Sequence, residues 1–379
     1  MNQEVFKNIS KIIERDSKSS TYKFALLRGV IDIIQENSPF IEKKDLRVHI
    51  PTALLVEKWL MYYYPILESK LIIPQINSTT NLAFENSFRQ LIDKYKEIGG
   101  FSAFYNDLKN KGIPNELQTN FIQLTKSIKN TIIKMPMKYI GRSISSDYYS
   151  IFQLEDRSSK FGVENQIDYL HMINKMGSFS IPLEYFEAFK LLGSFINGQD
   201  SILFKWAEFS VNISEDNLAL KTVVEKVLKN PITERDIKHS KKIYKEIISQ
   251  ESSINCVWTG EKIKSYDIDH VIPFSIWKNN DLWNLLPAKS KINNLKRDKI
   301  PSPELIEKRK DEIIHYWDLI NNRYQERFEK EIQIALLGKN TSVDWQKQAI
   351  LQLQKNCEYL ISNRGFTEWN IKKTTNTVI

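Results

Sequence analysis

Cysteine is almost absent from this 379-residue chain, which has only Cys256 and Cys357. Two cysteines cannot build a disulfide framework, and a thiolate zinc site needs paired cysteines or Cys/His pairs at short spacing. Glycine and proline are sparse at 12 each, which leans towards helix. No apolar run approaches the about 20 residues needed to span a bilayer. The opening MNQEVFKNISKIIERD also lacks the apolar core of a signal peptide. A cytoplasmic protein with no membrane partner is therefore expected. There is no internal repeat and no low-complexity segment. What the chain does have is basic charge. It carries 54 Lys and Arg against 46 Asp and Glu, a net +8, with a pI near 9.1. That excess suits a polyanionic partner, either nucleic acid or an acidic surface.

Apolar residues recur at helical spacing through the first third of the chain. Val5, Ile9, Ile12 and Ile13 form one stripe, and Leu27, Val30, Ile31 and Ile34 another. Val56, Trp59, Leu60 and Tyr63 follow, with a helix end expected before Pro65. Phe88, Leu91, Ile92 and Tyr95, then Leu117, Phe121, Leu124 and Ile128, complete the run. Such stripes face a core, so residues 1–134 are expected to be a helical domain. Residues 135–232 read as a mixed region. It has a strand over Tyr148 to Leu154 and loops at Arg157 to Lys160 and Met176 to Ser178. Helices follow on Tyr185, Phe189, Leu192 and Ile196 and over Ser201 to Val211. Thr233 is a candidate N-cap, with Asp236 at the third position, for a basic helix to about Gln250. After residue 300, Ser302-Pro303-Glu304 is a helix start. Thr341 with Asp344 opens a last helix to about Ser362, with Cys357 on its apolar face. The fold class expected is mainly α (α+β).

Chemistry concentrates between Cys256 and Asp298. Tyr266 to Ile272 reads as a strand ended by Pro273, Leu282 to Leu286 as a second strand, and Ala288 to Lys296 as a short helix. This β–β–α run puts Asp269 and His270 on the first element, Asn284 on the second and Asn293 on the helix. Phosphodiester hydrolysis needs an activated water, a cation to neutralise phosphate charge and help for the leaving oxygen. A neutral imidazole is a suitable base at cytosolic pH. A carboxylate and an amide oxygen suit a hard divalent ion such as Mg²⁺, with Mn²⁺ as an alternative.

The stretch resembles the HNH endonucleases, which share a ββα-metal fold. Asp269-His270 matches the family's Asp-His, Asn284 follows His270 by fourteen residues, and Asn293 follows it by twenty-three. The start D-x-D-H-x-x-P-x-S, from Asp267 to Ser275, is similar to the HNH domain of CRISPR effector nucleases. The resemblance implies that His270 is the general base and that Asp269 and Asn293 hold a divalent metal. It also implies that Asn284 fixes the loop presenting His270. Lys289, Lys291, Lys296 and Arg297 surround the helix and are candidates for phosphate contacts. The cysteine-bound structural zinc of many members is missing. Packing by Trp258, Trp277 and Trp283 and by flanking helices is expected in its place.

On this reading residues 233–300 are the nuclease domain, and 301–379 are helices packing on it. The whole is a helical chain with an embedded ββα element. The expected function is a metal-dependent DNA endonuclease in a restriction or anti-phage defence setting. Its expected partners are DNA and either a defence-system ATPase or a second copy of the chain. Two alternatives stay open at this point: a DNA-binding or partner-docking protein that no longer cuts, and an HNH nuclease acting on RNA or single-stranded DNA.

Overall fold

The computed structural model describes residues 3–77, 81–140, 151–155, 161–162, 165–196, 202–214, 218–227, 229, 235–251, 253–340 and 342–371. The chain forms two compact units, Met1–Ile232 and Thr233–Ile379.

The first unit contains helices α1 (Gln3–Glu14), α2 (Tyr22–Gln35), α3 (Thr52–Glu68), α4 (Glu85–Lys96), α5 (Gly100–Asn106) and α6 (Gln118–Lys134). It continues with α7 (Pro136–Tyr139), α8 (Tyr169–Lys175), α9 (Leu183–Ile196), α10 (Ile202–Asn212) and α11 (Leu220–Val227). All five apolar stripes of residues 1–134 are buried. Helix α3 does not stop before Pro65 but runs through it to Glu68. Its burial on nearly every side outweighs the one hydrogen bond that a proline removes.

A four-stranded antiparallel sheet also belongs to this unit, and periodicity did not anticipate it. Strands β1 (Glu42–Lys44), β2 (Arg47–Pro51), β3 (Gln153–Leu154) and β4 (Ser178–Pro182) lie in the order β1-β2-β4-β3. Val48 pairs Ile181, and Ile50 pairs Phe179. Ser178, expected in a loop, begins β4. Because β2 pairs with β4 across the residue-134 boundary, segments 1–134 and 135–232 share one sheet. The expected strand at Tyr148 to Leu154 is seen only as Gln153–Leu154. Its earlier residues, and the loop at Arg157 to Lys160, lie outside the described residues.

The second unit holds α12 (Lys238–Glu251), α13 (Phe274–Trp277), α14 (Ser290–Lys296), α15 (Pro303–Lys308), α16 (Lys310–Ile332) and α17 (Trp345–Ser362). Its described strands form three pairs. Antiparallel β5 (Ile254–Asn255) and β6 (Lys262–Ile263) make one, antiparallel β7 (Asp267–His270) and β8 (Leu285–Ala288) the second, and parallel β9 (Ile300–Pro301) and β10 (Glu368–Trp369) the third. Helix α12 starts at Lys238, later than expected, where Asp236 Oδ1 accepts the Lys238 N–H at 2.9 Å. Thr233 and Thr341 lie outside the described residues. Helix α15 begins as its sequence suggests, with Ser302 Oγ accepting the Leu305 N–H at 3.1 Å. The core is rich in indole. Trp258, Trp283 and Trp317 are fully buried. Trp277 meets Trp283 edge-on at 5.7 Å, and Trp258 meets Trp369 at 5.3 Å. Cys256 and Cys357 are buried free thiols within this packing.

Candidate active site

The site is built on the β7–β8 ribbon. A two-stranded ribbon is marginal alone, and this one is fastened on several sides. Val257 N–H donates to Pro287 O at 2.9 Å, and Tyr244 Oη donates to Leu285 O at 2.9 Å. Helix α14 packs on β7. Strand alternation sends Asp267 and Asp269 to one face and Ile268 and His270 to the other. Both members of the Asp-His pair are almost wholly buried, Asp269 at 3% exposure and His270 at 2%.

Each oxygen of Asp269 takes one donor. Trp258 Nε1–H donates to Oδ2 at 2.6 Å, and Lys296 Nζ donates to Oδ1 at 3.1 Å. The same ammonium donates to His270 O at 2.6 Å. Burial pushes the Asp269 carboxyl above its ordinary value, against the opposing pull of Lys296, Trp258 and Arg235.

The expectation that Lys296 contacts DNA phosphates is corrected here. Lys296 has no exposure, and its charge is spent on a carboxylate and a carbonyl inside the unit. The reason is helical geometry. Lys296 lies three residues after Asn293, so both share the face of α14 turned to β7.

His270 is held neutral. Burial first, and the positive charge of Arg235 second, lower its pKa to about 4, while the nearby Asn280 side chain acts in the opposite direction. The Asn280 side chain lies near the ring, yet neither ring nitrogen makes a well-formed hydrogen bond to a described residue. Phe274 stands edge-on to the ring at 5.6 Å. Two orphaned buried nitrogens cost roughly 1–3 kcal/mol each. Such atoms persist in native structures where water, an ion or a substrate completes them.

Asn284 is fully buried in the turn Leu282–Asn284 that leads into β8. Its Oδ1 accepts the Ile272 N–H at 2.8 Å, and its Nδ2 donates to Ile272 O at 3.0 Å and to Asn279 Oδ1 at 3.1 Å. Its backbone carbonyl accepts Val271 N–H at 2.8 Å. One side chain thus clamps the segment that leaves His270. The turn is anchored from α16, where Glu331 Oε2 accepts Leu282 N–H at 2.6 Å and Oε1 pairs with Arg327 at 2.6 Å. The strand expected at Leu282 begins only at Leu285, because the first three residues form this turn.

Asn293 is half-buried, and its amide makes no hydrogen bond to another described residue. Lys289 is exposed and pairs with Glu261 at 3.0 Å. Lys291 is exposed. Arg297 is also exposed, leaves α14 at a left-handed φ of +52°, and donates from Nε to Asn294 O at 3.2 Å. Asp269, His270, Asn284 and Lys296 are therefore drawn into one buried cluster with Asn293 on the helix against it, while Lys289, Lys291 and Arg297 stay on the surface.

Three contributors escaped the sequence reading. Trp258 fixes Asp269 from eleven residues upstream, and no local pattern announces that. The Asn279-Asn280 pair supports the site from both ends. Asn279 receives Asn284, while Asn280 Oδ1 accepts Asp236 N–H at 2.9 Å. Arg235 acts electrostatically on both Asp269 and His270. Its position just before a basic helix was the available signal.

The donor set fits a hard cation and not a thiolate zinc centre. Each Asp269 oxygen keeps a lone pair beyond the donor it already accepts, and the Asn293 amide is uncommitted. Among the described residues there is no group of three or more His, Cys, Asp and Glu side chains able to hold a metal. No described helix is long and apolar enough to cross a membrane.

Residues 256–302 match the family model described as HNH endonuclease, the segment that carries β7, β8 and α14. Residues 2–228 match the model described as Domain of unknown function (DUF8808), which spans more than half of the chain. No curated protein matches the sequence. The chain belongs to the DUF8808 family and carries an HNH endonuclease domain over residues 256–302.

Proposed function

We propose that this protein is a metal-dependent endonuclease that hydrolyses phosphodiester bonds in duplex DNA. The observation that carries the reading is His270, a buried neutral imidazole with neither nitrogen in a well-formed hydrogen bond, set beside a carboxylate in a hydrogen-bonded frame. His270 takes the proton of the attacking water. Its lowered pKa keeps it in the accepting form at neutral pH. Asn284 holds the Val271-Ile272 turn and so fixes the imidazole. Asp269, oriented by Trp258 and Lys296, and Asn293 would hold the divalent ion, with Mg²⁺ the best match for an oxygen donor set and Mn²⁺ second. Such an ion, when bound, supplies charge neutralisation at the phosphate and help for the leaving oxygen. One site of this kind cuts one strand at a time.

The biological setting proposed is restriction or anti-phage defence. A nuclease must be restrained within its own cell, and the first unit is large enough to read a sequence, a modification or a partner protein such as an ATPase. A second reading is favoured by one contact. Lys296 already neutralises Asp269, as suits a ββα element that binds DNA without cutting it.

Supercoiled plasmid incubated with the full chain and Mg²⁺ distinguishes the two. Nicking that disappears in EDTA, in His270→Ala and in Asn293→Ala supports the enzyme. Equal activity in wild type and His270→Ala, or none with Mg²⁺ or Mn²⁺, sinks it. Parallel duplex DNA, single-stranded DNA and RNA substrates test the choice of substrate.

A further inference from the structure

We propose that α12 is a docking surface for the backbone of duplex DNA, with Arg235, Lys238, Lys241, Lys242 and Lys245 forming a track of phosphate contacts leading away from His270. The proposal rests on the nuclease reading above and gives that site its substrate-holding surface.

Helix α12 has two faces. At about 100° per residue, Ser240, Ile243, Tyr244 and Ile247 fall together, and all four are buried. The four lysines fall on the opposite arc, and all are exposed. An ordinary solvated helix face mixes charges of both signs. The exposed residues of this arc carry only positive charge, with Asp236 at the head of the helix and Glu246 at the edge of the arc the acidic groups beside it, and none of the five cations has an ion pair with another described residue. The first turn of α12 contains no acidic residue and instead carries Lys238 and Lys241. Ammonium groups there oppose the positive end of the helix dipole. A polyanion lying along the arc relieves both unfavourable effects and releases its own counterions.

Position and spacing match as well. The hydroxyl of Tyr266, beside β7, donates to Lys241 O at 3.1 Å, and that of Tyr244 donates to Leu285 O on β8. The helix is thus fastened to the ribbon that bears His270. The Asp236 N–H is held by Asn280, which neighbours the imidazole, and Arg235 acts on both members of the Asp-His pair. The track therefore starts at the site. Lys238 and Lys245 are seven residues apart, about 10 Å along the helix. That length covers about three nucleotides at a rise of ~3.4 Å per strand. A guanidinium at the inner end suits two-pronged phosphate binding.

The test measures binding apart from cutting. Full-length protein in a His270→Ala background is titrated with a fluorescent duplex of about 30 base pairs across a salt series. It is compared with the same background carrying Lys238→Gln, Lys241→Gln, Lys242→Gln and Lys245→Gln. Glutamine preserves helix propensity, and an unchanged melting temperature verifies folding. The slope of log K against log salt should fall by about 3 to 4, with at least a hundredfold weaker binding near ~0.1 M salt. Arg235→Gln alone should lower the slope by about 1.

A control with Lys347→Gln and Lys355→Gln, exposed on α17, should leave the slope unchanged. A four-lysine variant with the parental slope overturns the proposal, as does a control that loses as much per charge. Lysine-dependent binding seen only with single-stranded DNA or RNA overturns the commitment to duplex DNA. Plasmid nicking by the wild type is scored separately, so a failure of the nuclease reading shows there and a failure of the track shows in the salt slope.

Discussion

Asn284→Ala tests how the site is held together. In the native structure the Asn284 amide satisfies both the N–H and the C=O of Ile272 in a buried setting. Alanine removes both partners in a place closed off from bulk solvent, since Asn284 has no exposure. Each orphaned buried backbone group costs about 1–3 kcal/mol, so the expected loss for the two is about 2–6 kcal/mol. At roughly 2–4 °C per kcal/mol for a domain of this size, the second unit should melt roughly 4–24 °C lower. Six of the eight tryptophans, from Trp258 to Trp369, lie in the second unit, so indole fluorescence follows its unfolding. Amide hydrogen exchange adds a local reading, and the Ile272 N–H should lose protection even where the unit stays folded. Nicking should fall at least a hundredfold at temperatures where the variant is folded, because the turn no longer fixes the imidazole. An Asn284→Ala protein with the parental melting temperature and a protected Ile272 amide would refute the clamp.

Lys296→Met should destabilise the second unit by about 3–5 kcal/mol, because it strands the buried Asp269 carboxylate. Lys291→Gln on the exposed surface should stay within about 0.5 kcal/mol. Urea unfolding of the two variants compares them, and a benign Lys296→Met would mean that the buried pair does not form in solution. Burial, then the nearby Asp281, push Glu331 up to about 8, well above its unfolded value. Between the two values the native state binds more proton than the unfolded state. The resulting stability is complete below the unfolded value and is lost as pH rises through about 8. Wild-type urea midpoints should therefore fall across that window, while those of Glu331→Gln should fall less. Parallel slopes for the two proteins would remove Glu331 from the account.

Much of the site was legible because its chemistry is local in sequence. Asp269-His270, Asn284 and Asn293 lie at short offsets, and a ribbon followed by a short helix brings them near one another, while Trp258 and Glu331 fasten the ribbon from elsewhere in the unit. The helical stripes were legible for a similar reason, since a 3.6-residue period records which side faces the core. The sheet of the first unit was not legible. Its strands are two to five residues long, too short for alternation to stand out, and β2 finds its partner β4 well over a hundred residues away.

Lys296 marks the boundary between the two kinds of information. From sequence alone it is one more lysine in a basic run, with the same claim to a phosphate as Lys291. Only the tertiary structure turns it inward, because the α14 face that carries Asn293 towards β7 carries Lys296 with it. There the Asp269 carboxylate and the His270 carbonyl supply the partners that a buried ammonium requires. The order of the residues determined the nuclease motif, the absence of a zinc staple and the helical character. Folding decided which charges are spent inside and which, along α12, remain outside. That choice depends on burial and on partners distant in the chain, which no local pattern encodes.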